Sequence, residues 1–399
     1  MKIVQINATC GKGSTGKICV DISRLLTERN IENYILYTGD TSEYPLGVCY
    51  ADRWQIKTEA LRSHMNGLYG FNSRRITNNL LRQLDAIQPD LVHLHNLHGH
   101  NCNLEMLSHY LKEKHIKVFW TFHDCWAFTA YCPHFTMAKC EKWKTGCESC
   151  PQYHDFSFWI DRSEALYHKK LELLVGLDLT IITPSQWLAD LVKQSFLQTY
   201  PVKVINNGID LDVFKPTLSD FREKYHIPQD CAVLLGVAFD WGRRKGLDVF
   251  AELAKRLDPE KYQIVLVGTN DRIDRSLPPQ IISIHRTHNQ QELAEIYTAA
   301  DLFVNPTRED NYPTVNMESI ACGTPVLTFD TGGSPEIIDE KSGSVVRYND
   351  IEALGREIIR ICEKNCYEKE HLLFKAQEFN RNKRLSEYCH VYGFDNKEM

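Results

Sequence analysis

No stretch of this sequence holds the roughly 18 consecutive apolar residues of a membrane-spanning helix, which excludes a transmembrane helical anchor. The opening MKIVQINATC has too short an apolar run for a secretory signal peptide before it turns polar and glycine-rich. Neither sign of charge dominates. With 46 Lys and Arg against 52 Asp and Glu, the net charge of −6 excludes a general nucleic-acid binder, which needs a basic face. These absences lead to the expectation of a soluble cytoplasmic protein. In that compartment the 14 cysteines read as thiols or metal ligands rather than disulfides.

A chain of 399 residues exceeds one ordinary core, so two domains are expected. Apolar runs of strand length alternate with helical patterns in both halves, which is the signature of parallel sheets. The first half offers Lys2 to Asn7, Asn33 to Tyr37, Leu91 to Leu94, Val118 to Phe122, Leu179 to Thr183 and Val202 to Ile205. The second offers Ala232 to Phe239, Gln263 to Gly268, Ile281 to His285, Leu302 to Asn305 and Pro325 to Phe329. The expected division is 1–205, 206–370 and a last helical segment over 371–399.

The first strand runs into Gly11-Lys12-Gly13-Ser14-Thr15-Gly16-Lys17, almost a P-loop. It lacks the magnesium-binding hydroxyl, because Ile18 stands at that position. What remains is either a tight turn or a strand-to-helix loop whose free amides, around Gly13, Ser14 and Gly16, face a phosphate or an acceptor sugar. His93 and His95 close the Leu91 strand, and His123-Asp124 follows the Val118 strand. Ligand groups gather where strands of an open α/β sheet end, which makes His123 a candidate functional residue with Asp124 to orient it.

Between them and the next strand lie Cys132, Cys140, Cys147 and Cys150, in C-x7-C-x6-C-x2-C spacing, with Cys125 just before. Structural zinc, free thiols and redox pairing all fit this loop over 125–151. Catalytic zinc does not, because four thiolates leave no open position. From Ala51 to Gln83 six cations (Arg53, Lys57, Arg62, Arg74, Arg75, Arg82) face only Asp52 and Glu59, interleaved with Trp54, Leu61, Met65, Leu68, Tyr69 and Phe71. That pattern suits a solvated helical face or a peripheral contact with anionic lipid.

The sharpest stretch is Thr307 to Gly333. Glu309 and Asp310 precede Pro313, a helix carrying Glu318 follows to Gly323, and a short strand runs into Gly332-Gly333. Proline at the helix start and glycine past its end fit their preferred places. The amide-rich start at Thr314 and Val315 attracts phosphate oxygens, while the carboxylates accept hydrogen bonds from hydroxyls. A sugar joined to a diphosphate has both partners. Arg243-Arg244-Lys245-Gly246, past the strand from Ala232, adds three cations that can hold a diphosphate. Asp210-Leu211-Asp212 spells a D-x-D, but the preceding Asn-Gly and the following proline read as a linker turn.

Thr121 to Asp124, Asn206 to Asp210, Lys245-Gly246 and Asp310 to Gly333 together resemble the motifs of retaining GT-B glycosyltransferases. The type is the large family four (glycosyl transferases group 1), similar to bacterial capsule, O-antigen and colanic-acid biosynthesis enzymes. The family's E-x7-E appears here as D-x7-E, from Asp310 to Glu318, with Glu309 one place away. The family's arginine lies several residues before Lys245, where this chain has Ala238 to Trp241, so either Arg243 or Arg244 substitutes or that arginine is absent. The resemblance implies an α/β protein with two Rossmann-like domains facing across a cleft. The N-terminal domain takes the acceptor and the C-terminal domain the nucleotide-sugar donor, and the final helix packs back on the first domain.

It also implies transfer of a sugar from a nucleotide diphosphate to an acceptor that is either a saccharide or a polyprenyl-diphosphate-linked saccharide, the latter placing the enzyme at the inner face of the cell membrane. Lys245 and an arginine would stabilise the departing diphosphate with no metal cofactor. Glu318 would bind the ribose, Asp310 or Glu309 the donor sugar, and His123 would contact that sugar while lining the acceptor side. The leaving phosphate would take the acceptor proton on the same face. A nucleotide-sugar epimerase of the same fold and a non-catalytic, zinc-dependent assembly subunit are the rival readings.

Overall fold

The computed structural model describes residues 1–394, and the chain divides into two compact units. The first comprises Met1–Ile205 and the segment from Leu385 onward; the second is Asn206–Arg384.

The first unit is built on β1 (Lys2–Ile6), β2 (Glu32–Gly39), β3 (Gly47–Asp52), β4 (Leu91–Leu94), β5 (Lys117–Thr121), β6 (Leu179–Thr183) and β7 (Val202–Val204). They form one parallel sheet in the order β3-β2-β1-β4-β5-β6-β7. Ile3 sits between Asn33 and Leu91, which fixes the central register. The inner strands are buried on both faces, as a sheet covered by helices on each side requires.

The second unit repeats the plan with β8 (Ala232–Val237), β9 (Tyr262–Val267), β10 (Ile282–Ile284), β11 (Leu302–Asn305), β12 (Val326–Phe329) and β13 (Gly343–Val346), in the order β10-β9-β8-β11-β12-β13, all parallel. In each sheet the order reverses at the first strand, between β1 and β4 and between β8 and β11. Loops diverge there and leave a crevice at the carboxyl ends of the strands.

Two strands escape a reading by hydrophobic runs. β3 and β13 are edge strands with glycine and exposed positions, so neither shows a continuous apolar signal. The last segment also needs correction. The expected single helix over 371–399 is a helix Lys369–Ala376, a 3-10 turn Gln377–Phe379 and a helix Arg381–Val391. Leu372, Ala376 and Phe379 are buried in the core of the second unit, so the chain stays there through Arg384. From Leu385 the chain joins the first unit, where Leu385, Tyr388, Cys389 and Tyr392 are buried beside Ile3, Leu26 and Phe119. Residues 395–399 of that expectation lie outside the described residues.

Candidate active site

In the second unit the residues of interest stand where β8 and β11 end, at the reversal point. After β8 the chain forms a 3-10 turn, Arg243–Lys245, closed by Gly246. After β11 it runs through Thr307 to Pro313 into a helix, Thr314–Ala321. Two glycines let these loops approach closely. A Cβ on Gly246 would lie 2.5 Å from the Pro306 carbonyl oxygen, and one on Gly332 would lie 1.7 Å from that of Asp310. Both have positive φ, so glycine is required twice over.

Across this juncture Lys245 Nζ bonds Asp310 Oδ2 at 2.5 Å, with both side chains about one-fifth exposed. Arg244 donates to the Glu309 carbonyl oxygen at 3.1 Å. Arg243 is the exposed member of the trio. The buried Arg308, absent from the sequence reading, braces the whole arrangement. Its guanidinium grips Asp248 at 2.7 and 2.8 Å, and also donates to the Arg243 carbonyl (2.5 Å) and to Asn349 (2.8 Å). Burial would raise the Asp248 pKa, but the Arg308 bonds and charge outweigh it and hold the carboxyl below its usual range.

Pro313 stands one place earlier than expected, as the extended residue before the helix, and no side chain caps the first turn. The Thr314 and Val315 amides therefore have no capping side chain, and both residues are half-buried. Glu318 lies one turn on, over Thr314, and its Oε2 accepts from the fully buried Tyr297 hydroxyl at 3.2 Å. Asn305, the last residue of β11, fixes the helix by donating to Asn316 Oδ1 at 2.7 Å. Glu309 is buried (6% exposed), whereas Asp310 is half-buried and in contact with Lys245.

In the first unit the ends of β1, β4 and β5 carry a chain of imidazoles. His95 Nε2 faces Gln5 Oε1 at 3.2 Å, and His95 Nδ1 faces His123 Nε2 at 3.1 Å, with the two rings stacked. Gln5 gives its amide hydrogens to the Cys19 carbonyl, so its oxygen accepts from His95. That assigns His95 Nδ1 as an acceptor, His123 Nε2 as the donor to it, and His123 Nδ1 as the basic nitrogen. Burial pushes His123 down to about 4, the repulsion of His98 adding to it against the attraction of Asp124. Burial likewise holds His95 well below its usual value and His93 down at about 3.

The expected partnership of Asp124 with His123 is not what the bonds show. Asp124 is taken up by His98 Nε2 at 2.7 Å and by the Trp126 amide at 2.9 Å. Burial would raise the Asp124 pKa, but His98 and the amide hold it at about 2. Burial would lower His98, but the carboxylate raises it instead. Gln5 and His98 were therefore missed: both are non-local, 90 and 26 residues from the partners they bond.

Gly13 opens the helix Gly13–Glu28; Gly13 and Ser14 are exposed, Thr15 is half-buried and Gly16 is buried. Gly11 donates to the Gly16 carbonyl at 3.0 Å, and a Cβ on Gly16 would lie 2.7 Å from Thr9 Oγ1, so the loop is also a tight turn. Asn7 ties it to the end of β4 by accepting from the Asn96 amide at 3.2 Å.

Cys132, Cys140, Cys147 and Cys150 line one cavity of the first unit, all as thiols. Asp210 of the D-x-D pairs with Arg381 at 3.1 Å and closes its own turn, as a linker would. Among the described residues, the trio of metal-capable side chains whose ligand atoms lie within 4.8 Å of one another is Asp271, Asp274 and His285. No helix among the described residues is long and apolar enough to cross a membrane.

The helix Arg53–Asn66 is turned inside out. Its buried residues are Glu59 and Ser63, while Trp54, Leu61 and Met65 are exposed. Phe158 and Trp159 are exposed alongside, where the Phe158 amide bonds the His64 carbonyl. Tyr69 and Phe71, by contrast, lie in the core.

Residues 15–213 match the family model described as glycosyltransferase family 4, and residues 232–364 match that described as glycosyl transferases group 1. The putative colanic acid biosynthesis glycosyl transferase WcaC of Escherichia coli K12 is 23% identical over 372 residues, 88% of each chain. Sucrose-phosphate synthase of Thermosynechococcus elongatus has a TM-score of 0.72 at 17% identity, covering 98% of both chains. Alr3699/HepE of Anabaena, solved with UDP and glucose, has a TM-score of 0.70 at 14% identity, covering 98% of this chain and 99% of its own. These likenesses show the GT-B fold, with its two parallel-sheet α/β domains.

Proposed function

This chain belongs to the group 1, family 4 glycosyltransferases, and from that premise we propose that it moves a sugar from a nucleoside diphosphate to a saccharide acceptor with retention at the anomeric carbon. The observation that carries the reading is the Lys245–Asp310 contact beside the uncapped start of the Thr314 helix. It brings cation, amides and carboxylate to one strand-end juncture, as a sugar diphosphate demands.

In this reading Lys245, Arg244 and the Thr314 and Val315 amides bind the diphosphate and stabilise the charge that develops as its bond to the sugar breaks. That requires no divalent metal. The acceptor oxygen bonds to the anomeric carbon on the face the phosphate leaves, and its proton passes to the departing phosphate oxygen. Asp310 accepts from donor-sugar hydroxyls, and its proximity to Lys245 favours it over the buried Glu309 for this role. Glu318 accepts from the ribose, oriented by Tyr297. His123 serves the acceptor side with its Nδ1, and the Gly13–Gly16 amides receive acceptor hydroxyl or phosphate oxygens.

The likeness to the colanic acid enzyme supports a place in surface-polysaccharide assembly. The inside-out helix supports an acceptor carried on lipid at the inner face of the membrane, because Trp54, Leu61 and Met65 are exposed among Arg53, Lys57 and Arg62.

The test is a panel of nucleotide sugars in EDTA, read by thermal shift and nucleoside diphosphate release. One donor should bind and be slowly cleaved without acceptor. Absence of any response would overturn the proposal, as would donor affinity and turnover left unchanged in Glu318→Gln.

A further inference from the structure

The segment from Cys125 to the helix Ser163–Leu174 carries none of the residues assigned to the transfer chemistry, yet it is built like a core. Its regular structure is limited to three-residue 3-10 turns, at Trp126–Phe128, Lys142–Lys144 and Tyr153–Asp155. Trp126, Phe128, Tyr131 and Trp143 are nonetheless fully buried. An irregular segment seldom holds four large aromatic side chains out of water without a cross-link.

Four cysteines converge inside it. Cys132, Cys140, Cys147 and Cys150 line one narrow cavity, walled by Tyr131, Phe135 and Trp143. Beneath the turn leading into the cavity lies an unusual charge. Lys170 is fully buried and donates to the Trp126 and Thr129 carbonyl oxygens at 2.6 and 2.8 Å. Its Nζ stands 3.6 Å from the centre of the Trp126 ring. Two carbonyls and a ring face do not neutralise a buried ammonium, which calls for negative charge nearby. Cys147, Cys132 and Asp124 are the nearby groups that favour its charge.

We propose that Cys132, Cys140, Cys147 and Cys150 bind one zinc-type divalent cation as a closed tetrathiolate, with Lys170 as its buried counter-cation. Four thiols release four protons to solvent, four metal–sulfur bonds form, and no electron is transferred. The resulting centre carries a net charge of two minus, of which the single ammonium offsets half. No three of the sulfurs lie within 4.8 Å of one another. Tetrahedral ligation at about 2.3 Å sets sulfurs roughly 3.8 Å apart, so coordination draws the cavity walls inward.

The centre would act as a brace for the strand-end site. Thr129 Oγ1 donates to the Cys132 carbonyl at 2.6 Å, and the Cys125 amide donates to the Pro133 carbonyl at 3.0 Å. Both bonds tie the metal end of the loop to the turn after Asp124, which holds His98. The metal site stands independently of the sugar-transfer reading; only its effect on turnover rests on that reading.

The full-length chain, purified without added metal, should contain about one zinc by elemental analysis. A mercurial that caps thiols should release that zinc to a colorimetric indicator, an assay that needs no variant. Cobalt substitution should give a sulfur-to-cobalt charge-transfer band, and Cys147→Ser with Cys150→Ser should abolish both metal and band. Donor-induced thermal shift in that variant should persist, with turnover reduced on the order of 10-fold or more, as for loss of a bracing shell. A metal-poor protein whose Cys140 and Cys150 react readily with iodoacetamide in the native state would overturn the proposal. So would a mass lower by two hydrogen atoms per cysteine pair, which would mean disulfides. If the metal is stoichiometric and no nucleotide sugar is cleaved, it is the transfer reading that fails.

Discussion

The two units wind their strands in the same order and gather polar groups at the same reversal point, yet fill it with opposite chemistry. The first unit sets imidazoles there, desolvated and held neutral: His95 and His123 share a hydrogen bond, and burial lowers both pKa values. The second sets formal charges there, with Lys245 against Asp310 and Arg308 against Asp248. The topology decides where ligands meet the sheet, and the loops decide what they meet. The neutral imidazoles of His95 and His123 suit an uncharged hydroxyl, and a charged cluster suits a diphosphate.

The sharpest way to break this contrast is to remove the charge. Lys245→Met should lower turnover on the order of 10³-fold, as loss of one oriented charge on a leaving group does, measured by nucleoside diphosphate release. Asp310→Asn in the same background should restore little, because the diphosphate rather than Asp310 is the group left unsupported. Equal loss from Asp310→Asn alone, fully rescued in the double variant, would mean that the ion pair is only structural.

In the neutral cluster His123→Asn should cost on the order of 10²-fold in turnover while leaving donor-induced thermal shift intact. A matched loss of donor binding would erase the contrast between the units.

Gly332→Ala should destabilise the second unit by about 2–3 kcal/mol, through positive φ and collision with the Asp310 carbonyl, read as a shift in denaturant midpoint. An unchanged midpoint would show that the two loops are not clamped there.

The smallest effect concerns pH. His123, lowered to about 4, contributes stability that is complete above its unfolded value near 6.5 and is lost as pH falls from there toward 4. His98, raised by Asp124, contributes stability that is complete below that value and is lost as pH rises through its folded pKa. Denaturation across pH should therefore show His98→Asn flattening the alkaline side and His123→Asn the acid side. Identical profiles for the two variants would contradict the pairing.

Much of the fold could be read in the sequence because inner parallel strands are buried on both faces and appear as unbroken apolar runs. β3 and β13 could not, because an edge strand spares half its surface for water. The candidate site was legible as separate motifs, each local to one loop. Its contacts were not: Lys245 meets Asp310 across 65 residues, and nothing in either motif says that they touch. Asp124 beside His123 suggested a partnership by adjacency, and the fold instead turned its carboxylate to His98. Arg308 hid in plain sight between Thr307 and Glu309, because bracing by a buried guanidinium leaves no spacing signature.

The closing of the first unit by residues after 384 has a consequence for how the chain is made. Tyr392 bonds His93 Nδ1 at 2.5 Å, and Tyr388 and Leu385 cover Ile3 and Phe119. A ribosome delivers Tyr392 only 299 residues after His93. The histidine cluster therefore waits through synthesis of the whole second unit with one wall missing and its apolar neighbours open to solvent or to a chaperone. It is completed only after the second unit has been made, so a chain cut short before Leu385 keeps the whole sheet of the second unit but leaves this wall of the first unit open.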